Sequence, residues 1–515
     1  MPRLMMDLTS LRQHPDFRRL WLGTAFSVLG FQVSAMAVSL QIFRITGSTF
    51  AVGAVGLVSV LPLIFGGLWG GVLADTRDRR RVALAASLGL WVLTGLIAAQ
   101  AFLRLDSIAV LYGLIALQSL LHPINQAARG AIIPNIVGLK RLPAANALNM
   151  SASTVALTLG PMLGGFLVAA VGYGWTYLVD VGTFTVGLWA LYRLPPQVPQ
   201  QAEGEEQPTR GLSSVVEGLR FVRSSPVVAM TFMLDLCAMI TLFPQALFPA
   251  MALVVVGGSE AVAGLLSGTM TLGAFLGTVL SGRAVRVRAQ GRALTWTYAG
   301  WTAGMLWAGL AMWWVQAGTE RGSAAAWTGL ILALIGLMVA GAVDSVGSIY
   351  RSTILQVAAP DTMRGRLQGL FIVTVNGGPR LGSGVMGAAG QWAGPGLALV
   401  GGAVACGLGV AGLSRRFPQL LAYRAPDPAL TAALPAVEPL PPVRHDTTEI
   451  PQVPPADPDP GAEPGRRARS SACAAHDGGP AAAATRATAP PRGARRGRRW
   501  GVGSGRRAVR LRRPR

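Results

Sequence analysis

The chain has 515 residues, of which 51% are hydrophobic and only 13% charged, and its mean hydropathy is +0.45. Soluble proteins carry about 25% charged residues, so this composition excludes a water-soluble enzyme. The net charge of +22 would suit nucleic-acid binding, but from Arg466 onward fifteen arginines face a single acid, Asp477, so +14 of it sits in one terminal segment.

The apolar content comes in blocks. Residues 20–43 and 50–74 are nearly free of charge, and a bilayer span needs ~20 apolar residues to cover ~30 Å of hydrocarbon. Further spans are predicted at 82–103, 107–128, 146–171 and 174–194. A polar segment rich in Pro, Gln and Glu follows, and then spans at 227–250, 260–282, 293–316, 325–350, 367–390 and 394–414. The expectation is an all-α integral membrane protein, twelve transmembrane helices in two pseudo-symmetric six-helix bundles. Residues 1–194 form the first bundle with a short N-terminal lead, 195–225 the linker, and 226–416 the second bundle. Residues 417–515 form a Pro/Ala/Arg-rich tail whose composition predicts disorder.

No cleaved signal sequence is expected, because the first block exceeds a typical h-region of about 7–15 residues. Cys237 and Cys406 fall within spans and Cys473 in the tail, so neither a disulfide framework nor a metal site is expected. Basic residues alternate by loop. Arg77 to Arg81, Lys140 and Arg141, Arg220 and Arg223, Arg283 to Arg292, Arg364 and Arg366, and Arg415 and Arg416 all fall on one side. The positive-inside rule makes that side, with both termini, cytoplasmic.

The two halves echo each other. "RGAIIPN" from Arg129 aligns with "RSTILQV" from Arg351, and "GPMLGG" from Gly160 with "GPRLGS" from Gly378. Parallel six-helix repeats about an axis along the membrane normal are a transporter design. Where the first half has Met162, the second has Arg380, in mid-span.

Ionisable residues inside spans cost at least ~2.5–3.5 kcal/mol at a helix centre and are functional candidates by default. Asp235 and Asp344 are candidate proton carriers, and Arg380, which stays charged, is a counter-ion or anion binder. Asp180 is expected within a turn or two of the membrane surface, as a static residue. Gln32, Gln118, Asn149, Gln245 and Asn376 are candidate cavity-lining residues, because lipid offers polar side chains no partners. Gln41, Asn125 and Gln126 belong to the same class, whereas the tryptophans are expected to serve packing and the membrane belt.

"GGVLADTRDRRR", residues 70–81, fits Gly-x-x-x-Asp-x-x-x-Arg-Arg through Gly71, Asp75, Arg79 and Arg80. Here the chain resembles the major facilitator superfamily, whose signature lies between spans two and three; Thr76 and Asp78 depart from its usual residues. The resemblance implies a cytoplasmic gate in which Gly71 permits close helix packing and Asp75 latches onto span eleven. "ALTLGPMLGG" resembles the superfamily's antiporter motif, giving Gly160, Pro161, Gly164 and Gly165 the roles of bending and packing span five. "FRRLWLGTAFSVLG", "LFPQALFPAMA" and "AVDSVGSIYRSTILQVAAPDTMRGRLQGL" are similar to the enterobactin-exporter-like branch. That branch often carries an acid where this chain has Ser383, leaving Arg380 without that partner.

The resemblance implies a secondary active exporter in the cytoplasmic membrane. It would antiport protons against a siderophore or similar amphiphile, with the proton gradient as energy source and no cofactor. The alternatives are a multidrug or macrolide efflux pump and, more remotely, a non-transporting sensor or assembly subunit. An ATP-driven pump is disfavoured, since no Gly-x-x-x-x-Gly-Lys-Ser/Thr loop occurs. Expected partners are a small-molecule substrate and membrane lipids, not nucleic acid, and the expected state is a monomer.

Overall fold

The computed structural model describes residues 9–197, 220–282, 287–358 and 361–424. Most of the linker, the tail from 425 onward, and Arg283, Arg286 and the side chains of Arg364 and Arg366 lie outside them.

Nine of the described helices are long and apolar enough to cross a membrane. One of these, Leu142–Tyr192, turns back at Gly172 (φ 81°, ψ 176°) and so makes two crossings. Glycine meets no steric penalty there, whereas a side chain would. With Gln290–Gly318 and Asp361–Ala393, the twelve-helix architecture is complete. The first half is α1 (Pro15–Thr46), α2 (Thr49–Thr76), α3 (Arg79–Phe102), α4 (Ile108–Val137), α5 (142–171) and α6 (173–192). The second is α7 (Pro226–Thr241, continued brokenly to Val256), α8 (Glu260–Leu280), α9 (Gln290–Gly318), α10 (Ala324–Ala358), α11 (Asp361–Ala393) and α12 (Pro395–Arg416).

Local chemistry places the turns. Gly47, in the left-handed region (φ 61°), ends α1, and the Ser48 side chain at once accepts from Ala51 N at 3.2 Å to open α2. Glycine at a helix end and serine at the next N-cap are the expected pair. α7 departs from the predicted unbroken span. It stops at Leu242, leaves helical geometry at Phe243, and resumes as a short 3₁₀ turn at Pro244–Leu247 and a π-helical turn at Met251–Val256. Pro244 and Pro249 lack the N–H that a continuous helix would require.

Within each half, glycines bring helices together. A Cβ at Gly66 would run into the Leu120 backbone, and one at Gly70 would come within 2.9 Å of Ile124 Cα, so both hold α2 against α4. The halves meet along two seams, α2 with α11 and α5 with α8. Gly53 abuts the Ser383 carbonyl and Gly56 that of Arg380. A Cβ on Gly165 would stand 2.5 Å from the Glu260 carbonyl oxygen and 3.0 Å from Gly264 Cα. Thr49 donates from Oγ1 to the Gly387 carbonyl (2.8 Å) and from N to Gln391 Oε1 (3.1 Å). Among the described residues, every glycine contact between the halves lies away from the end of the molecule where α1 begins and α12 finishes.

Gly165→Val inserts atoms where backbone already stands, and overpacking costs about 1–3 kcal/mol. A seam destabilised by that amount shifts its open–closed equilibrium by roughly 5–150-fold. A cysteine placed in the α5–α8 seam should then label faster with a membrane-impermeant maleimide; unchanged labelling contradicts the packing.

Candidate functional site

Between the halves lies a cavity of about 450 Å³. Gln32 and Phe31 come to it from α1, Gln118 and Ser119 from α4, and Asn376, Pro379 and Arg380 from α11. The broken stretch of α7 supplies Phe243, Pro244, Gln245, Ala246 and Phe248. A discontinuous helix beside a central cavity is how many transporters expose backbone and polar groups at membrane depth. Sequence reading took α7 as one span and missed this; the signal was two prolines five residues apart. Asn149 is not among the lining residues. It lies twelve positions before Pro161 on α5, which at 1.5 Å per residue is about 18 Å nearer the start of that helix.

Arg380 is the one charged residue lining the cavity among the described residues, and no carboxylate lines it. Its guanidinium donates to Ser119 Oγ across the seam at 3.4 Å. On the same α4 face stands His122, its ring 4.4 Å from that of Phe31. Ser383, one turn beyond Arg380, spends its hydroxyl on the Pro379 carbonyl at 2.9 Å. The cavity is therefore apolar walls, amide and hydroxyl groups, and one cation.

Two arginines related by the internal repeat hold the halves together internally. Arg351 on α10 ion-pairs with Asp235 of α7 and donates to Tyr298 OH of α9 at 3.1 Å, and Tyr298 OH in turn donates to Asp235 Oδ1 at 3.3 Å. Its guanidinium also sits over the Phe371 ring at 5.6 Å. In the first half Arg129 on α4 makes the corresponding reach, to Thr24 Oγ1 of α1 at 3.0 Å and Ser87 Oγ of α3 at 3.1 Å. So the fourth helix of each repeat clamps the first and third, with an acid in one half and hydroxyls in the other. Asp235 is 1% exposed and lies outside the cavity wall, as does half-buried Asp344, two turns before Arg351 on α10. Arg351 and Tyr298 went unnamed as Asp235's partners in sequence, although the aligned "RGAIIPN" and "RSTILQV" carried the clue.

At the signature loop the structure redistributes the roles. Gly71 faces open space and Gly70 makes the close helix contact, because the rotation of α2 puts only one of the paired glycines against α4. Asp75 lies half-buried in the last turn of α2. Arg79 donates to the Ala74 carbonyl (3.2 Å) and the Ala131 carbonyl (3.0 Å), and Arg80 to the Leu191 (3.2 Å) and Tyr192 (2.7 Å) carbonyls that close α6. A cation on the unsatisfied carbonyls of a helix end is favourable. Asp78 is the N-cap of α3, accepting from Arg80 N at 3.0 Å and from Gln197 N at 3.0 Å. In the fifth span, Gly160 and Gly164 seat α5 on α1 and Gly165 seats it on α8, with the Pro161 carbonyl against Gly264.

Residues 7–436 match the family model described as transmembrane secretion effector. The chain belongs to that family of the major facilitator superfamily. Like others of this superfamily it is an integral membrane secondary transporter, not an enzyme. It is 29% identical over 390 residues to proteins named enterobactin exporter EntS from Escherichia coli O1:K1 and from Citrobacter koseri. The alignments cover 75% of this chain and 88% of each relative. Its fold is similar to that of a bacterial homologue of the iron transporter ferroportin in its inward-facing state (TM-score 0.61, 16% identity, 79% of this chain and 98% of that one).

Proposed function

We propose that this major facilitator exports an anionic amphiphile of the siderophore type, enterobactin-like in size and charge, out of the cytoplasm in exchange for protons. The observation that carries the reading is the cavity itself: Arg380 lines it and no acid does, among the described residues. An anion entering this cavity loses hydration and needs a fixed positive partner there. A cationic drug would meet repulsion instead, which disfavours the broad drug-efflux alternative for cations. The named relatives support the siderophore class.

The basic loops make the face carrying the termini cytoplasmic in this reading. With the seams tight on the far side, the cavity is offered to the cytoplasm, where an exporter loads. Outward movement against a gradient then requires a coupling ion, and protons are the proposed one, with no cofactor. The protein is taken to work as a monomer, its partners being substrate and lipid.

The test is complementation. Expressed in a strain lacking its own enterobactin export, the chain should restore secretion of the catecholate and give no added resistance to cationic dyes. Dye resistance without restored secretion would overturn the substrate class.

A further inference from the structure

Asp180 on α6 is fully buried (0% exposed) and deeper than its place in the sequence suggests. It packs against Gly30, half-way along the 32-residue α1, and a Cβ on Gly30 would collide with Asp180 Oδ1 and Thr183 Oγ1. The glycine is what lets the carboxyl occupy this position.

Three features of its surroundings decide its state. No ion pair reaches it among the described residues: α1 presents Gly30 and Ser34, and α6 presents Thr183. On the neighbouring elements, Tyr177 has its hydroxyl engaged with Gln41 Oε1 at 2.8 Å, α3 answers with Gln100 on the same Gln41 at 3.1 Å, and α4 sends Arg129 to Gly187, two turns along α6. Thr183 Oγ1 lies 2.8 Å from the Asp180 backbone carbonyl and 3.2 Å from Oδ1. Its one proton is shared between these two acceptors, so Thr183 offers the carboxyl a hydroxyl and no charge. Finally, the buried Ser34 hydroxyl is a side-chain hydrogen-bond partner of the Asp180 carboxyl, and neither it nor Asp180 Oδ2 has any other partner among the described residues. A carboxylate here would have hydroxyl donors but no opposite charge among the described residues, and burying an unpaired charge is costly. Ser34 also lines the central cavity, so one hydroxyl separates the carboxyl from the substrate chamber.

We infer that Asp180 is the site at which the first half holds the coupling proton, exchanged with the cavity through Ser34. On release the carboxyl gives its proton to cavity water by way of the Ser34 hydroxyl and becomes a carboxylate; on reloading, hydronium returns it by the same route. This rests on the proton-antiport reading above, and it moves the coupling site away from Asp235, which Arg351 already neutralises.

The test uses the full chain in lipid vesicles, with enterobactin as transport probe. Infrared spectra of the wild type should show a neutral-carboxyl stretch that Asp180→Asn removes. Asp180→Asn should keep enterobactin counterflow, which moves no net proton, and lose accumulation driven by a pH gradient. Ser34→Ala, which leaves the acid in place, should keep the band and slow its shift on transfer to heavy water by roughly tenfold, about 1.4 kcal/mol in barrier. An unchanged carboxyl band in Asp180→Asn, undiminished gradient-driven accumulation in that variant, or an unslowed shift in Ser34→Ala overturns the assignment. A wild type that accumulates nothing under the gradient overturns the antiport reading instead, and the band still decides whether Asp180 binds a proton.

Discussion

Arg351→Met is expected to destabilise the protein by about 3–5 kcal/mol, with much of the loss recovered in Asp235→Leu/Arg351→Met. The single change strands the Asp235 carboxylate among α7, α9 and α10 at 1% exposure, with Tyr298 as its remaining donor. Removing both charges leaves no uncompensated ion, and such replacements are often neutral or stabilising. The recovery is incomplete because Tyr298 then keeps a buried hydroxyl without either partner, worth about 1–3 kcal/mol. Arg129→Met supplies the contrast. Its partners are the hydroxyls of Thr24 and Ser87, so no anion is stranded and the loss should be smaller. Unfolding in detergent, followed by the fluorescence of a buried-cysteine dye, measures all four proteins. Equal losses for Arg351→Met and Arg129→Met, or no recovery in the double variant, would contradict the clamp.

The second large effect falls on Arg380. A unit charge 4 Å away at an effective dielectric of 20 contributes about 4 kcal/mol, and a cavity open to water and salt screens that strongly. Arg380→Gln should therefore weaken binding of an anionic substrate by roughly tenfold to a hundredfold, each tenfold being about 1.4 kcal/mol. Arg380→Lys should keep part of the affinity, since it retains the charge but not the planar fork of donors. A neutral compound of similar size should be bound equally by wild type and Arg380→Gln. Binding measured by tryptophan quenching separates the cases, and a parallel loss for neutral and anionic compounds would show that Arg380 acts on structure rather than on charge.

Much of the architecture was legible because membrane burial writes itself as uninterrupted apolar length. The twelve spans and the two echoing halves follow from hydropathy and repeat alone. What sequence could not fix is rotation about each helix axis and depth along it. Gly70 and Gly71 are chemically identical, and only the facing of α2 onto α4 decides which one packs. Asp180, counted from the turn at Gly172, looked superficial, yet α1 buries it at its own midpoint. Asn149 has the same composition argument as Gln32 but is not among the described residues that line the cavity. Arg380 showed itself by breaking the repeat, and its place on the cavity wall follows from α11 lining the seam with α2. The Asp235–Tyr298–Arg351 clamp joins residues more than fifty positions apart, so nothing local announced it.

In the proposed function a proton gradient drives an anion out through the Arg380 cavity. Everted membrane vesicles containing the chain, loaded with an inward-acid pH gradient, test it in one measurement with labelled enterobactin outside. The expected result is accumulation that a protonophore abolishes and that Arg380→Gln lowers at least tenfold, about 1.4 kcal/mol. Accumulation that persists with the protonophore, or that Arg380→Gln leaves unchanged, would contradict it.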